Sequence, residues 1–284
     1  MSSIGDSSAE LNIRRVMSQH QAAITVLQFL LGNPAIQEFS WLDLACGKGQ
    51  IISQLEENIP DETLRGKIVY LGYDIDPRHT AQTISIAGTL NLRSSDVITS
   101  ELSHFPQLID RDRKFDFISF TNTVHELSPQ TISSLLLEAI LRLTPEGTLY
   151  IYDMETLPEP ELGAVPWTGS EMSGLIRALF RALEINNYNV TPQVWSHSRV
   201  KGWSLTIRRN YIDRANELLI QNEELAIREA SEYIQSLIQT KFETCKAVLE
   251  SLTRNGAQTP EEEENRSRQL YEFWSLCRAK EAAQ

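Results

Sequence analysis

Apolar positions along the chain keep two alternating rhythms. Residues 9 to 31, ending in ITVLQFLL, carry apolar side chains at helical spacing and stop at Gly32-Asn33-Pro34. A Gly-then-Pro ending of this kind predicts one or two helices ahead of the first strand. WLDL at 41 to 44 then reads as a strand that turns straight into the small-residue loop Ala45-Cys46-Gly47-Lys48-Gly49, and QIISQLEEN as a short helix behind it. KIVYLGYDID at 67 to 76 is dense in β-branched and aromatic residues and predicts a second buried strand. TAQTISIAGTLNL is helical in character, and RSSDVI suggests a short third strand reaching Asp96. KFDFISFTN at 114 to 122 predicts a fourth strand, SPQTISSLLLEAILRL an amphipathic helix capped by Ser128, and GTLYIYD at 147 to 153 a fifth strand. Such alternation favours a parallel sheet wrapped by helices on both faces.

Beyond Asp153 the rhythm changes. A Pro- and Gly-rich loop, ETLPEPELGAVPWTG, leads to a helix at SEMSGLIRALFRAL, and the runs NVTPQVW and WSLTIRR suggest an antiparallel pair at the sheet edge. From Tyr211 to Leu252, Ile212, Ala215, Leu219, Ala226, Ala230, Tyr233, Leu237, Phe242 and Val248 keep largely to three- and four-residue steps, which predicts one long amphipathic helix or two in line. Pro260 and the acidic run after it suit the start of a last helix through LYEFWSLC. Three segments follow: an N-terminal helical stretch over 1–35, an α/β domain over 36–209 and a helical extension over 210–284.

Composition narrows the function classes. Among 284 residues the net charge is −12, which argues against a broad basic surface for nucleic acid. Cys46, Cys245 and Cys277 lie far apart, with no Cys/His pair at ligand spacing, so neither disulfides nor a metal site are expected. MSSIGDSSAE has no basic and apolar leader pattern and no apolar run reaches membrane-spanning length, which points to a cytoplasmic protein without a membrane partner.

The glycine loop carries the candidate chemistry, because glycine lets a ligand approach the backbone. A dinucleotide G-x-G-x-x-G starting at Gly47 fails at Ile52, and no G-x-x-x-x-G-K-[ST] phosphate loop is present. What remains is D-x-[GA]-x-G-x-G. In open α/β sheets ligands bind beyond the carboxyl ends of the strands. There the chain offers Asp74, whose carboxylate suits a vicinal diol, Asp96 after the third strand, and the polar turn Thr121-Asn122-Thr123-Val124-His125-Glu126. Taken singly, Asp74 also reads as a solvated turn residue and Asp96 as a helix cap.

In this order the residues resemble class I S-adenosylmethionine-dependent methyltransferases, directly over about 35 to 155 and, with the antiparallel pair as sixth and seventh strands, over nearly three-quarters of the chain. Ala45 stands where the family's first glycine is usual. The resemblance implies a Rossmann-like, mostly parallel seven-stranded sheet with S-adenosyl-L-methionine as cofactor. Asp43, Ala45, Cys46, Gly47 and Gly49 would line its methionine and ribose side, Asp74 its ribose, Asp96 and Val97 its adenine, with Ile75 among the cofactor contacts and Asn122 completing the pocket.

The turn lacks the [DNS]-P-P-[YFW] of amino-group nucleic-acid methyltransferases. His125-Glu126 is instead similar to the His-Asp turn of small-molecule O-methyltransferases, which implies His125 as general base for a hydroxyl. A structural histidine bonding the loop is the other reading. Tyr152, Asp153, Glu155 and Trp167 are candidate substrate residues, with a solvated loop and a core tryptophan as the plainer alternatives. The acidic tail can cover the substrate pocket, pack on the catalytic domain or form a homodimer. The expectation is methyl transfer to a small molecule at oxygen; alternatives are a protein acceptor, an aminopropyltransferase-like enzyme and a silent binding scaffold.

Overall fold

A computed structural model describes residues 18–157, 161, 163–186, 188–197, 200–212, 215–256 and 259–282. The part of the N-terminal helical stretch before residue 18 lies outside them. Seven strands form one sheet: β1 (Phe39–Leu44), β2 (Ile68–Asp74), β3 (Ser94–Thr99), β4 (Phe115–Thr121), β5 (Leu143–Met154), β6 (Gln193–His197) and β7 (Val200–Arg208). Their order is β3-β2-β1-β4-β5-β7-β6. β1 runs parallel to β2 and β4, and β2 to β3, while β6 and β7 are antiparallel, so the sheet is mostly but not wholly parallel. The chain sorts into two compact units, one of Met1–Thr121, Arg142–Ile151 and Ile207–Asn210, the other of Asn122–Leu141, Tyr152–Thr206 and Tyr211–Gln284.

In the first unit, β1, β2 and β4 are buried almost end to end, as their unbroken apolar runs require of strands covered on both faces. Helix α1 (Ser18–Leu31) buries Ala23, Ile24, Leu27 and Leu31 on one face and leaves Phe29 exposed, with the Arg208 guanidinium 5.4 Å from its ring centre. Helix α2 (Pro77–Ala87) starts on Asp76, whose side chain accepts from the Arg78 N–H, with proline in the first turn.

In the second unit, Ser128 accepts from the Thr131 N–H and opens α3 (Pro129–Leu141). Thr168 and Glu171 close a reciprocal capping box on α4 (Gly169–Ala182). The tail forms a short helix α5 (Asn216–Gln221), the 33-residue α6 (Glu223–Asn255) and α7 (Pro260–Ala282), which Thr259 and Glu262 cap reciprocally. The buried stripe of α6 runs through Ala226, Ala230, Ile234, Ile238 and Cys245, while Val248, expected on it, is exposed. That stripe packs on α3 and α4, and α7 packs back on α6 through the stacked rings of Phe242 and Phe273, 5.1 Å apart. No helix among the described residues is long and apolar enough to cross a membrane.

The α4–α6 contact depends on one missing side chain. A Cβ at Gly174 would stand 1.9 Å from the Tyr233 hydroxyl and 2.6 Å from the ring carbon that bears it. Gly174→Ala is therefore expected to destabilise the fold by about 1–3 kcal/mol, the usual range for overpacking, with Tyr233→Ala in the same chain recovering part of the loss. Urea unfolding of the single and double variants measures this; additive losses would show that the two positions do not meet.

Candidate active site

In the first unit the loop after β1 has left-handed backbone at Ala45, Gly47 and Gly49, with φ of 54°, 53° and 78°. Glycine adopts this at no steric cost, while Ala45 carries a modest strain. The loop is tied down on three sides. Cys46 N–H donates to the Tyr73 carbonyl (3.0 Å), Gly47 N–H to Asp74 Oδ2 (2.9 Å), and the Thr83 hydroxyl of α2 to the Gly47 carbonyl (2.9 Å). A Cβ on Gly49 would meet Ile52, Thr83 and Ile86 at 3.1 to 3.2 Å, so this glycine is held by packing as well as by φ. Only a 3-10 turn (Ile52–Gln54) and a four-residue helical turn (Leu55–Asn58) follow, so the backbone of the loop itself, rather than a helix end, faces a ligand.

Asp74 ends β2, and its second oxygen accepts from the Asp76 N–H at 2.9 Å. The expected strand end at Asp96 is corrected by the register: Asp96 pairs with Leu71, and it is Thr99 that pairs with Asp74. Three residues at about 3.3 Å each set Asp96 roughly 10 Å back from the strand's carboxyl end, exposed, with its carboxylate bonded to the next N–H. Val97 lies inside the strand as well, opposite Gly72. The acid that follows the true end is Glu101, whose carbonyl accepts from the Tyr73 hydroxyl.

Asp43 is buried below the loop and held by Ser119 (2.5 Å) and Tyr70 (3.1 Å). Burial pushes its pKa up to about 7, against those two hydrogen bonds, and Asp74 pushes in the same direction. Burial first, then the Asp43 and Asp74 charges, raises the Cys46 thiol far above the ordinary cysteine range, which leaves it an inert packing group.

The second unit holds the turn after β4. Asn122 has φ of 55° and donates its N–H to the Tyr152 carbonyl, while its buried Oδ1 has no partner among the described residues. A buried acceptor in that state is suited to a ligand donor. His125, 2% exposed, is clamped by Asp153: its backbone N–H donates to Oδ2 at 2.9 Å and its Nδ1 to Oδ1 at 2.6 Å. Nε2 lies 3.1 Å from Glu161 and 3.8 Å from Glu126. Burial alone would lower the pKa of this imidazole; the hydrogen bonds and charges of Asp153 and Glu161 outweigh it and hold the pKa up at about 10. Both ring nitrogens are engaged by carboxylates, so general-base work by His125 would need Nε2 released from Glu161.

The expected substrate residues divide. Asp153 joins the His125 cluster. Tyr152 is buried, stacked on Trp195 with ring centres 5.2 Å apart. Trp167 is buried too, its carbonyl accepting from Trp203 and Lys241 Nζ lying 5.7 Å from its ring, while its buried indole N–H has no partner among the described residues. Glu155 lies beside β7, its N–H on the Lys201 carbonyl. Two polar residues escaped the sequence reading, Glu161 and Arg278. Both line a cavity of about 510 Å³ with Glu126, Leu127, Ser128, Pro129, Val165 and the small residues Ala279 and Ala282 of α7. The tail therefore contributes to the wall of this cavity. A lone Glu in a Pro-rich loop and an Arg in a tail helix carry no motif that would have marked them.

A family model described as a methyltransferase domain matches residues 37–201. The chain belongs to this methyltransferase family. No curated protein sequence matches it. Among solved structures it is similar to magnesium protoporphyrin IX methyltransferase from Synechocystis PCC 6803 with bound SAH (13% identity over 67% of this chain and 84% of that one, TM-score 0.47). It is also similar to TehB from Haemophilus influenzae (14%, 71% and 65%, 0.48) and to the DszA carbon methyltransferase (16%, 69% and 54%, 0.49).

The protein is thus an S-adenosylmethionine-dependent methyltransferase. The first unit's residues fit that cofactor. Asp74 spends one acceptor site of each oxygen on the backbone, and with His79 Nδ1 3.4 Å from Oδ1 it is Oδ2 that keeps a site for a ribose hydroxyl. Ile75 beside it is 62% exposed, an apolar face available to a flat ring.

The state of Asp43 makes stability depend on pH. A carboxyl whose pKa rises from 3.8 unfolded to about 7 folded stabilises the fold fully below about pH 4 and loses that contribution as pH climbs through 7. Asp43→Asn stays neutral throughout, so its melting temperature relative to wild type is expected to rise between about pH 4 and pH 8. A difference that stays flat across that range would mean Asp43 is already ionised in the fold.

Proposed function

We propose that the enzyme methylates an oxygen of a small-molecule acceptor held in the second unit's cavity. The carrying observation is a cavity of about 510 Å³ lined by Glu126 and Glu161, whose carboxylates flank Nε2 of the buried His125–Asp153 pair. That volume suits a small ligand. A wall built from the chain's own Arg278, Ala279 and Ala282 favours such a ligand over an extended protein segment.

In this reading residues 36–209 form the methyltransferase domain, and residues 210–284 are an extension that shields the acceptor. Ala45, Cys46, Gly47 and Gly49, with Asp43 beneath them, line the donor's methionine side; Asp74 takes a ribose hydroxyl and Ile75 packs on the adenine. In the second unit Asn122 offers its unpartnered Oδ1 to a ligand donor. The sulfonium donor, when bound, brings an already activated methyl group, so the residues have only to orient, exclude water and manage one proton. An alcohol or phenol gives up its proton as it attacks, and a carboxylate of the Glu126–Glu161 pair accepts it. His125 is then a positioning residue, held by Asp153 and holding Glu161 in turn.

Incubation with methyl-labelled cofactor and a cell extract split into metabolite, protein and RNA pools is expected to place the label in the metabolite pool. Label confined to protein or RNA would overturn the acceptor assignment. Two variants separate the sites. Asp74→Asn should weaken S-adenosylhomocysteine binding roughly ten- to hundredfold by calorimetry, the worth of hydrogen bonds to a charged group. Glu161→Gln should leave that affinity intact and lower turnover by about 10² to 10⁴. Unchanged binding in the first, or unchanged turnover in the second, removes the residue from its role.

A further inference from the structure

His125 Nε2 and the carboxylates of Glu126 and Glu161 present three ligand atoms that all lie within 4.8 Å of one another. We propose that these three groups bind a divalent transition cation at the edge of the second unit's cavity, with Asp153 as the outer partner that orients the imidazole. Ligand atoms about 2.1 Å from such an ion, at tetrahedral or octahedral angles, lie about 3.0 to 3.4 Å apart. The His125–Glu161 separation of 3.1 Å falls in that range, and the Glu126 separation of 3.8 Å enters it with a small side-chain rotation.

The surroundings support the assignment independently of the three ligands. A buried imidazole that gives Nδ1–H to a buried carboxylate keeps Nε2 turned toward the ligand side, the arrangement metal-binding histidines use, and an ion entering there displaces the proton that Nε2 otherwise shares with Glu161. The Val165 N–H on the His125 carbonyl and the Asp153 bond to the His125 N–H hold the backbone as well, so the ring is placed before any ion arrives. Three acids around one imidazole concentrate negative charge, which a 2+ ion offsets; Arg278, on the same cavity, supplies one positive charge. Glu126 and Glu161 side chains are 59% and 44% exposed, so an ion can enter from solvent and keep positions open for oxygen atoms of water or acceptor. Imidazole with carboxylates suits ions of the manganese-to-zinc series. Sequence spacing could not reveal this set, because two of its members are neighbours and the third is 35 positions on, in a Pro-rich loop.

The test uses the full chain stripped with a chelator, then titrated with Co²⁺, Zn²⁺ or Mn²⁺ in the absence of methyl donor and acceptor, so its failure leaves the acceptor reading standing. Wild type is expected to take up one equivalent, with a Co²⁺ visible spectrum of mixed nitrogen and oxygen coordination. Asp153→Asn should keep the stoichiometry and lose about 10- to 100-fold in affinity. Glu126→Gln, at an exposed position that does not threaten folding, and Glu161→Gln should each weaken binding at least about tenfold. His125→Ala should abolish the stoichiometric site. No bound ion in wild type, or an affinity that none of the Glu variants changes, overturns the proposal.

Discussion

One buried carboxylate organises the second unit's chemistry. Asp153 accepts from the backbone N–H and from Nδ1 of the same residue, His125, and so fixes a turn and a ring with two bonds of 2.9 and 2.6 Å. The cost of burying an acid is offset because its lone pairs are used and the imidazole carries the compensating charge. The direction of Nε2 follows from this clamp, and with it the place where Glu161 and Glu126 converge. Losing Asp153 would leave a buried cation without its partner, so the geometry of the cavity edge and the stability of the turn are coupled.

The first unit relies on a similar economy. Asp74 bridges the Gly47 N–H and the Asp76 N–H, joining the glycine loop to the turn that begins α2. Left-handed backbone at Ala45, Gly47 and Gly49 is worth keeping because the loop is cross-linked by Thr83, Tyr73 and Asp74 rather than left to fluctuate. Asp43 sits beneath, its pKa raised toward neutrality because no cation among its described contacts compensates for its burial. The loop thus rests on a hydrogen-bonded acid rather than an ion pair.

Buried parallel strands are legible because burial on both faces forces unbroken apolar runs, and β1, β2 and β4 lie where those runs stand. β3 is exposed at Ser94, Ser95 and Asp96, so its sequence lacks a hydrophobic end mark, and its true terminus lies three residues beyond the one read from RSSDVI. The glycine loop and Asp74 were legible because their chemistry demands particular residue types. Glu161 and Arg278 were not, since each contributes only a charge at a place that tertiary packing selects. Tyr152 and Trp167 are ambiguous in sequence for the opposite reason: a large aromatic near a strand end suits a core as well as a pocket, and both are buried, Tyr152 against Trp195 and Trp167 beside Trp203.

The C-terminal helices link these points. Their stripe of small residues, Ala226 and Ala230, and the notch at Gly174 let α6 approach α4 closely. α7 then folds back along α6, which brings Arg278, Ala279 and Ala282 to the cavity edge. An amphipathic tail without catalytic motifs therefore acts on the chemistry through shape. It contributes Arg278 to a cavity whose lining also holds Glu126 and Glu161. Variation in α7 would consequently change the lining of this cavity without touching α3 or α4.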